Sequence, residues 1–163
     1  MKRLAIALWC VALAHSATGA DEVLPASGSV ALPLEQAIKK NLGRPYAMGS
    51  TGNKSYDCSG FVWRVMTDAG VFIKRSTARK YYFAMPKVED GSANQYAFGQ
   101  LVFFDDLKHV GIVDSHHGFF HAETGHGTRR SKFEPYWRGK VVGFRAIPRV
   151  ADSSTPASGT EQP

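Results

Sequence analysis

The chain has 163 residues, 44% of them hydrophobic, with 20 Lys and Arg against 14 Asp and Glu for a formal net charge of +6. This length suits one domain with a sizeable core, and the apolar fraction excludes a disordered or collagen-like chain. The modest positive excess fits an anionic cell-wall or membrane surface and does not demand nucleic acid.

Residues 1–20 read as an export signal: Lys2 and Arg3 form a positive end, Leu4 to Ala14 an apolar stretch, and Thr18-Gly19-Ala20 a small-residue cleavage site. The apolar stretch is too short for a stable anchor, so the mature form is expected to carry no membrane anchor and to be periplasmic or secreted. Cys10 follows Trp9 rather than a run of small residues, which argues against lipidation. With the leader removed, Cys58 is the sole thiol and no internal disulfide is possible, so stability must come from a core.

Residues 21–32 are small and Ser/Pro/Gly-rich and read as a linker. The folded domain is expected over 33–150. Leu34, Ala37, Ile38 and Leu42 recur at helical spacing, with Gly43 as the stop. Gly43 to Tyr56 has loop composition and ends where Asp57 can cap a helix from Cys58 to Ala69, whose Phe61, Val62, Val65, Met66 and Ala69 form one apolar face. A further helix is predicted around Ala78 to Ala84. The pattern then turns to period 2, with strands over Leu101–Phe104, His109–Asp114, Gly118–Ala122 and Val141–Ile147 forming an antiparallel meander. Helices followed by strands imply an α+β domain. Residues 151–163 have nothing to bury and read as a disordered tail.

Cys58 is a candidate nucleophile because it falls in the first turn of its helix, where unpaired N–H groups and aligned peptide dipoles favour a thiolate. His109 opens a strand, and His121 closes another. A protonated His109 near Cys58 would favour the thiolate further, and His121 can fix the tautomer of His109. The expectation is a standing thiolate that alkylates rapidly at pH 6, with the N–H of Cys58 directed at the oxyanion of an attacked carbonyl.

Tyr46-Ala47-Met48-Gly49, Asp57-Cys58-Ser59-Gly60-Phe61-Val62, Arg75-Ser76-Thr77, Gly99 with Leu101-Val102-Phe103-Phe104, His109-Val110-Gly111-Ile112 and His121-Ala122 stand in the order seen in the NlpC-type cell-wall cysteine peptidases, a papain-like family. With Glu134-Pro135-Tyr136-Trp137, the chain most resembles the Spr-type murein endopeptidases within it. The resemblance implies a papain-like fold, with the nucleophile at a helix N-terminus packed on an antiparallel sheet. It also implies hydrolysis of peptidoglycan stem-peptide or crosslink amides through a thioester, without a cofactor. Cys58 would be the nucleophile, His109 the base and acid, and His121 the orienting residue; Tyr46, Asp57, Ser59 and Arg75 would meet the substrate. Ser50, Lys74 and Gln100 depart from the usual Gly, Pro and Asp of the family, and the first two would reshape the rim.

Other readings are weaker. His116, His117, His121 and His126 cluster in sequence, but adjacent residues on a strand point opposite ways and the mature chain has one thiol, so no metal site is expected. Arg129, Arg130, Lys132, Arg138 and Lys140 read as a solvated face rather than a nucleic-acid surface, with Tyr136 and Trp137 packed on the core. A wall-binding module without chemistry, or an acyltransferase on the same fold, is the alternative. The sequence leaves the oligomeric state open.

Overall fold

Apolar residues at helical spacing build α1 (Ala31–Asn41), and the face they form, Leu34, Ala37 and Ile38, is buried. The structure, a computed structural model, describes residues 31–52 and 54–148. The signal peptide, nearly all of the 21–32 linker and the 151–163 tail lie outside the described residues. The helix starts at Ala31, two residues before the predicted domain boundary.

Helix α2 (Cys58–Asp68) is set by its first turn and its apolar stripe. The Asp57 carboxylate accepts from the Gly60 N–H at 2.6 Å, satisfying one of the donors that a helix start leaves open. Phe61, Val62, Val65 and Met66 are fully buried against α1 and the sheet. The short α3 (Ala78–Ala84) is capped by Thr77 and ends at Met85. The three predicted helices are therefore present.

Five strands follow: β1 (Leu101–Phe104), β2 (His109–Ser115), β3 (Gly118–Glu123), β4 (Gly127–Lys132) and β5 (Val141–Arg145). They form one antiparallel sheet in the order β4-β3-β2-β1-β5. The meander expected from sequence covers β1 to β3; β4 extends it, and β5 returns to the opposite edge beside β1. Alternation splits the sheet into two buried faces. Leu101, Phe103, Val110, Ile112 and Ala122 meet the helices. Val102, Phe104, Val113 and Phe119 meet Phe133, Trp137 and Phe144. Each fully buried aromatic or aliphatic side chain contributes about 1.5–3 kcal/mol.

Polar contacts pin the loop before α2 to both α1 and the sheet. Tyr56 donates its hydroxyl hydrogen to Asn41 Oδ1 at 2.6 Å, and Asn41 Nδ2 donates to Asp68 at 2.9 Å. Thr128 of β4 donates to the Asn41 carbonyl at 2.8 Å and accepts from the Arg44 N–H at 2.7 Å. The start of α2 is thus held from two directions.

Gly60 shows how tightly. A Cβ there would collide with the Ser50 carbonyl oxygen, which itself accepts from the Asp57 N–H at 3.1 Å. Gly60→Ala is therefore expected to destabilise the fold by about 1–3 kcal/mol through overpacking, measured by urea denaturation. Unchanged stability would show that the loop yields freely.

Candidate active site

The cap on α2 fixes Cys58 in the first turn, with the thiol lying against the start of β2. Cys58 Sγ is 3.8 Å from the Lys108 carbonyl oxygen, and backbone N–H groups of Val110, Ser59 and Cys58 itself aim at the sulfur. Lys108 and Val110 bracket His109, so the thiol meets the backbone on both sides of that histidine. Among the described residues, the thiol's hydrogen bond goes to Lys108 and not to the His109 ring.

His109 and His121 do meet. His109 Nε2 lies 2.8 Å from His121 Nδ1, and His121 Nε2 lies 2.8 Å from Ser131 Oγ on β4. These contacts use Nε2 of His109 and leave its Nδ1 without a hydrogen-bond partner among the described residues. A neutral His109 that accepts a proton at Nδ1 carries its hydrogen on Nε2, so His121 must accept at Nδ1 and donate from Nε2 to Ser131. Ser131 therefore sets the tautomer of His121, and His121 that of His109.

An aromatic cage holds the pair. The Trp137 ring stacks on His109 at 5.0 Å and 24° and meets His121 edge-on at 5.1 Å. Phe119 lies 4.6 Å from His121. Gly111 makes this arrangement possible, because a Cβ there would come within 2.6 Å of the Phe119 ring. Trp137 is 9% exposed, whereas its neighbour Tyr136 is 60% exposed. The expectation that both pack on the core is corrected for Tyr136, whose hydroxyl instead partners Lys140 at 2.5 Å.

Burial dominates the electrostatics. It lowers His109 from 6.5 to about 4, with Asp105 opposing and Lys140 adding to the fall. It lowers His121 to about 3, with the neighbouring His109, Arg129 and His126 adding to the fall. His121 is wholly buried and neutral near pH 7, so its 3.9 Å approach to Glu123 is not an ion pair. Burial also raises the Cys58 thiol above its ordinary 9.0, more than the surrounding N–H groups lower it, and the Asp57 charge adds to the rise. Burial thus opposes the standing thiolate expected at a helix start and favours a neutral thiol beside a neutral imidazole.

The sign is testable. At pH 6 burial favours the uncharged thiol and His109, lowered to about 4, has already lost its proton, so iodoacetamide is expected to alkylate Cys58 more slowly than free cysteine and to accelerate only as pH rises past the ordinary thiol range. A fast plateau at pH 6, measured by stopped alkylation and intact mass, would show an ion pair instead.

Three further residues singled out in the sequence form one network beside Cys58. Arg75 Nη2 donates to both carboxylate oxygens of Asp57 at 3.0 Å each, and Ser59 donates to Asp57 at 2.9 Å while accepting from Arg75 Nη1 at 3.0 Å. Both carboxylate oxygens of Asp57 are thereby engaged inside the fold. Tyr46 bridges Tyr56 in a short parallel pairing, packs on the helix-side core, and directs its hydroxyl to Met48 Sδ at 3.7 Å. Ser131 and Trp137 are the participants that sequence reasoning missed. Ser131 sits in a basic run with no catalytic signature, while the aromatic pair Tyr136-Trp137 was a signal without a direction. Among the described residues, no group of three His, Cys, Asp or Glu side chains is placed to hold a metal ion.

A thiol at a capped helix start, packed beside a sheet carrying a histidine chain, defines a papain-like α+β domain. The sequence profile of the NlpC/P60 family matches residues 43–146, and the chain belongs to that family. It is 34% identical over 108 residues to a probable endopeptidase NlpC homolog of Haemophilus influenzae, covering 65% of this chain and 57% of that protein. It is 31% identical over 111 residues to the probable peptidoglycan endopeptidase LytE of Bacillus subtilis, covering 66% of this chain and 31% of that one. This chain thus spans little more than half of one relative and about a third of the other. The crystal structure of an NLP/P60-family protein similar to a lipoprotein, from Staphylococcus aureus, superposes with a TM-score of 0.62 at 26% identity, over 76% of this chain and 43% of that one.

Proposed function

We propose that this chain is an exported cysteine endopeptidase that hydrolyses amide bonds in peptidoglycan stem peptides or crosslinks, acting in the periplasm or outside the cell. The single observation that carries the reading is the hydrogen-bonded chain His109–His121–Ser131 on the sheet against which the Cys58 thiol packs, 3.8 Å from the carbonyl of Lys108, the residue before His109. The names of the relatives from Haemophilus influenzae and Bacillus subtilis support the substrate class.

In this mechanism substrate draws the thiol hydrogen from the Lys108 carbonyl to His109 Nδ1. Sulfur bonds to the scissile carbonyl carbon as the proton crosses, so a neutral pair needs no standing thiolate. The N–H groups at the start of α2 receive the oxyanion. The C–N bond then breaks as His109 returns the proton to the departing amine, leaving a thioester on Cys58. Water, deprotonated by His109, attacks the thioester; the C–S bond breaks, and the thiol is restored. His121 remains neutral throughout and holds the ring.

Digestion of purified sacculi in heavy-oxygen water tests the reading against its alternatives. Hydrolysis places one heavy oxygen in each new carboxyl group of the released muropeptides. Adsorption without release would indicate a wall-binding module, and unlabelled acyl products joined to a second amine would indicate an acyltransferase.

A further inference from the structure

A groove of about 420 Å³ opens beside the Asp57–Ser59–Arg75 network, within the size range of small-ligand sites. Its lining includes Lys74, Arg75 and Lys80 and contains no acidic residue. Ile73, Tyr81 and Met85 contribute apolar surface. Lys74 and Lys80 are exposed, and among the described residues neither is paired with a carboxylate. Arg75 is committed, since its terminal nitrogens bind Asp57, Ser59 and the Ser76 carbonyl, while its Nε is buried without an acceptor among the described residues. The two lysines that line the groove are thus its cations without a carboxylate partner among the described residues.

We infer that this groove is an anion subsite that holds a free carboxylate of the substrate peptide on Lys74 and Lys80, with the apolar wall taking the adjoining aliphatic atoms. The inference rests on the proposed peptidase reading and names where the substrate's charge sits. Arg75 provides the link to the chemistry: it lines the groove and grips Ser59, the residue after Cys58. Through Arg75 the groove therefore adjoins the residues that flank the thiol. Water-facing lysines contribute modestly to affinity, so the groove selects among substrates more than it binds them tightly.

The test uses the full chain and two probes, a stem tetrapeptide with a free terminal carboxylate and the same peptide amidated there. For the wild type, the acid is expected to have a KM about five- to tenfold below that of the amide, with kcat little changed. Lys74→Gln with Lys80→Gln is expected to raise KM for the acid by about the same factor and leave the amide unaffected. Calorimetric titration of Cys58→Ala with both peptides separates this inference from the peptidase reading. Preference for the acid, lost on replacing the lysines, supports the subsite even where the wild type cleaves neither peptide. Cleavage of both peptides with equal KM, or equal binding of both by Cys58→Ala, would overturn it, and so would inhibition by inorganic phosphate without acid–amide discrimination.

Discussion

His109→Ala is expected to lower kcat/KM by about ten-thousand-fold while leaving the fold intact, because in the proposed mechanism His109 handles the proton in both half-reactions. His121→Asn should behave differently. The amide oxygen of asparagine can accept from His109 Nε2 as His121 Nδ1 does at 2.8 Å, so a loss of about ten- to a hundredfold is expected, falling on kcat rather than KM. Ser131→Ala should cost less again, since it removes only the acceptor that fixes the tautomer of His121. Steady-state kinetics on a defined muropeptide, with thermal melting as the folding control, gives the ranking. Equal losses for His109→Ala and His121→Asn would mean that His121 takes part in proton transfer.

The second large effect is on stability. Asp57 is 7% exposed, and its carboxylate serves three partners at once: the Gly60 N–H, the Ser59 hydroxyl and the Arg75 guanidinium. Asp57→Ala removes the helix cap and strands a largely buried cation, so about 3 kcal/mol of destabilisation is expected. Arg75→Ala alone should cost less, because the carboxylate keeps its Gly60 and Ser59 donors. Urea denaturation of the two variants checks this. An Asp57→Ala loss below about 1 kcal/mol would show that the cap alone counts.

Helices α1 and α2 were legible because each carries a 3.6-residue apolar stripe and its own punctuation: Gly43 after α1, Asp57 before α2 and Gly70 after it. Cys58, His109 and His121 stood out as residue types suited to acyl transfer. Strand β4 was not legible. It buries only Gly127, Thr128 and Ser131, and exposes Arg129, Arg130 and Lys132 as charges that protect a sheet edge, so its sequence reads as a solvated turn. Ser131 was hidden for the same reason, since its role exists only once β4 pairs with β3 and brings its hydroxyl under His121. The place of β5 beside β1 is a matter of pairing, which alternation along one strand does not encode.

Burial bears on the thiol in a way that local sequence does not reveal. Local sequence reveals a helix start, which favours the anion, but not the depth of burial. Cys58 is 8% exposed, and desolvation pushes its thiol up. The same burial keeps His109 and His121 neutral and makes the tautomer chain possible. A dry, uncharged site that acquires charge only as bonds change is consistent with the aromatic cage of Trp137 and Phe119 around it.

The central claim is that the Cys58 sulfur attacks a peptide bond of the cell wall. Its most direct test is digestion of purified sacculi by equal amounts of wild type and Cys58→Ala, with the released muropeptides resolved by mass spectrometry. The account predicts soluble stem-peptide fragments from the wild type and none from a folded Cys58→Ala protein; the same fragments in equal yield from both would contradict it.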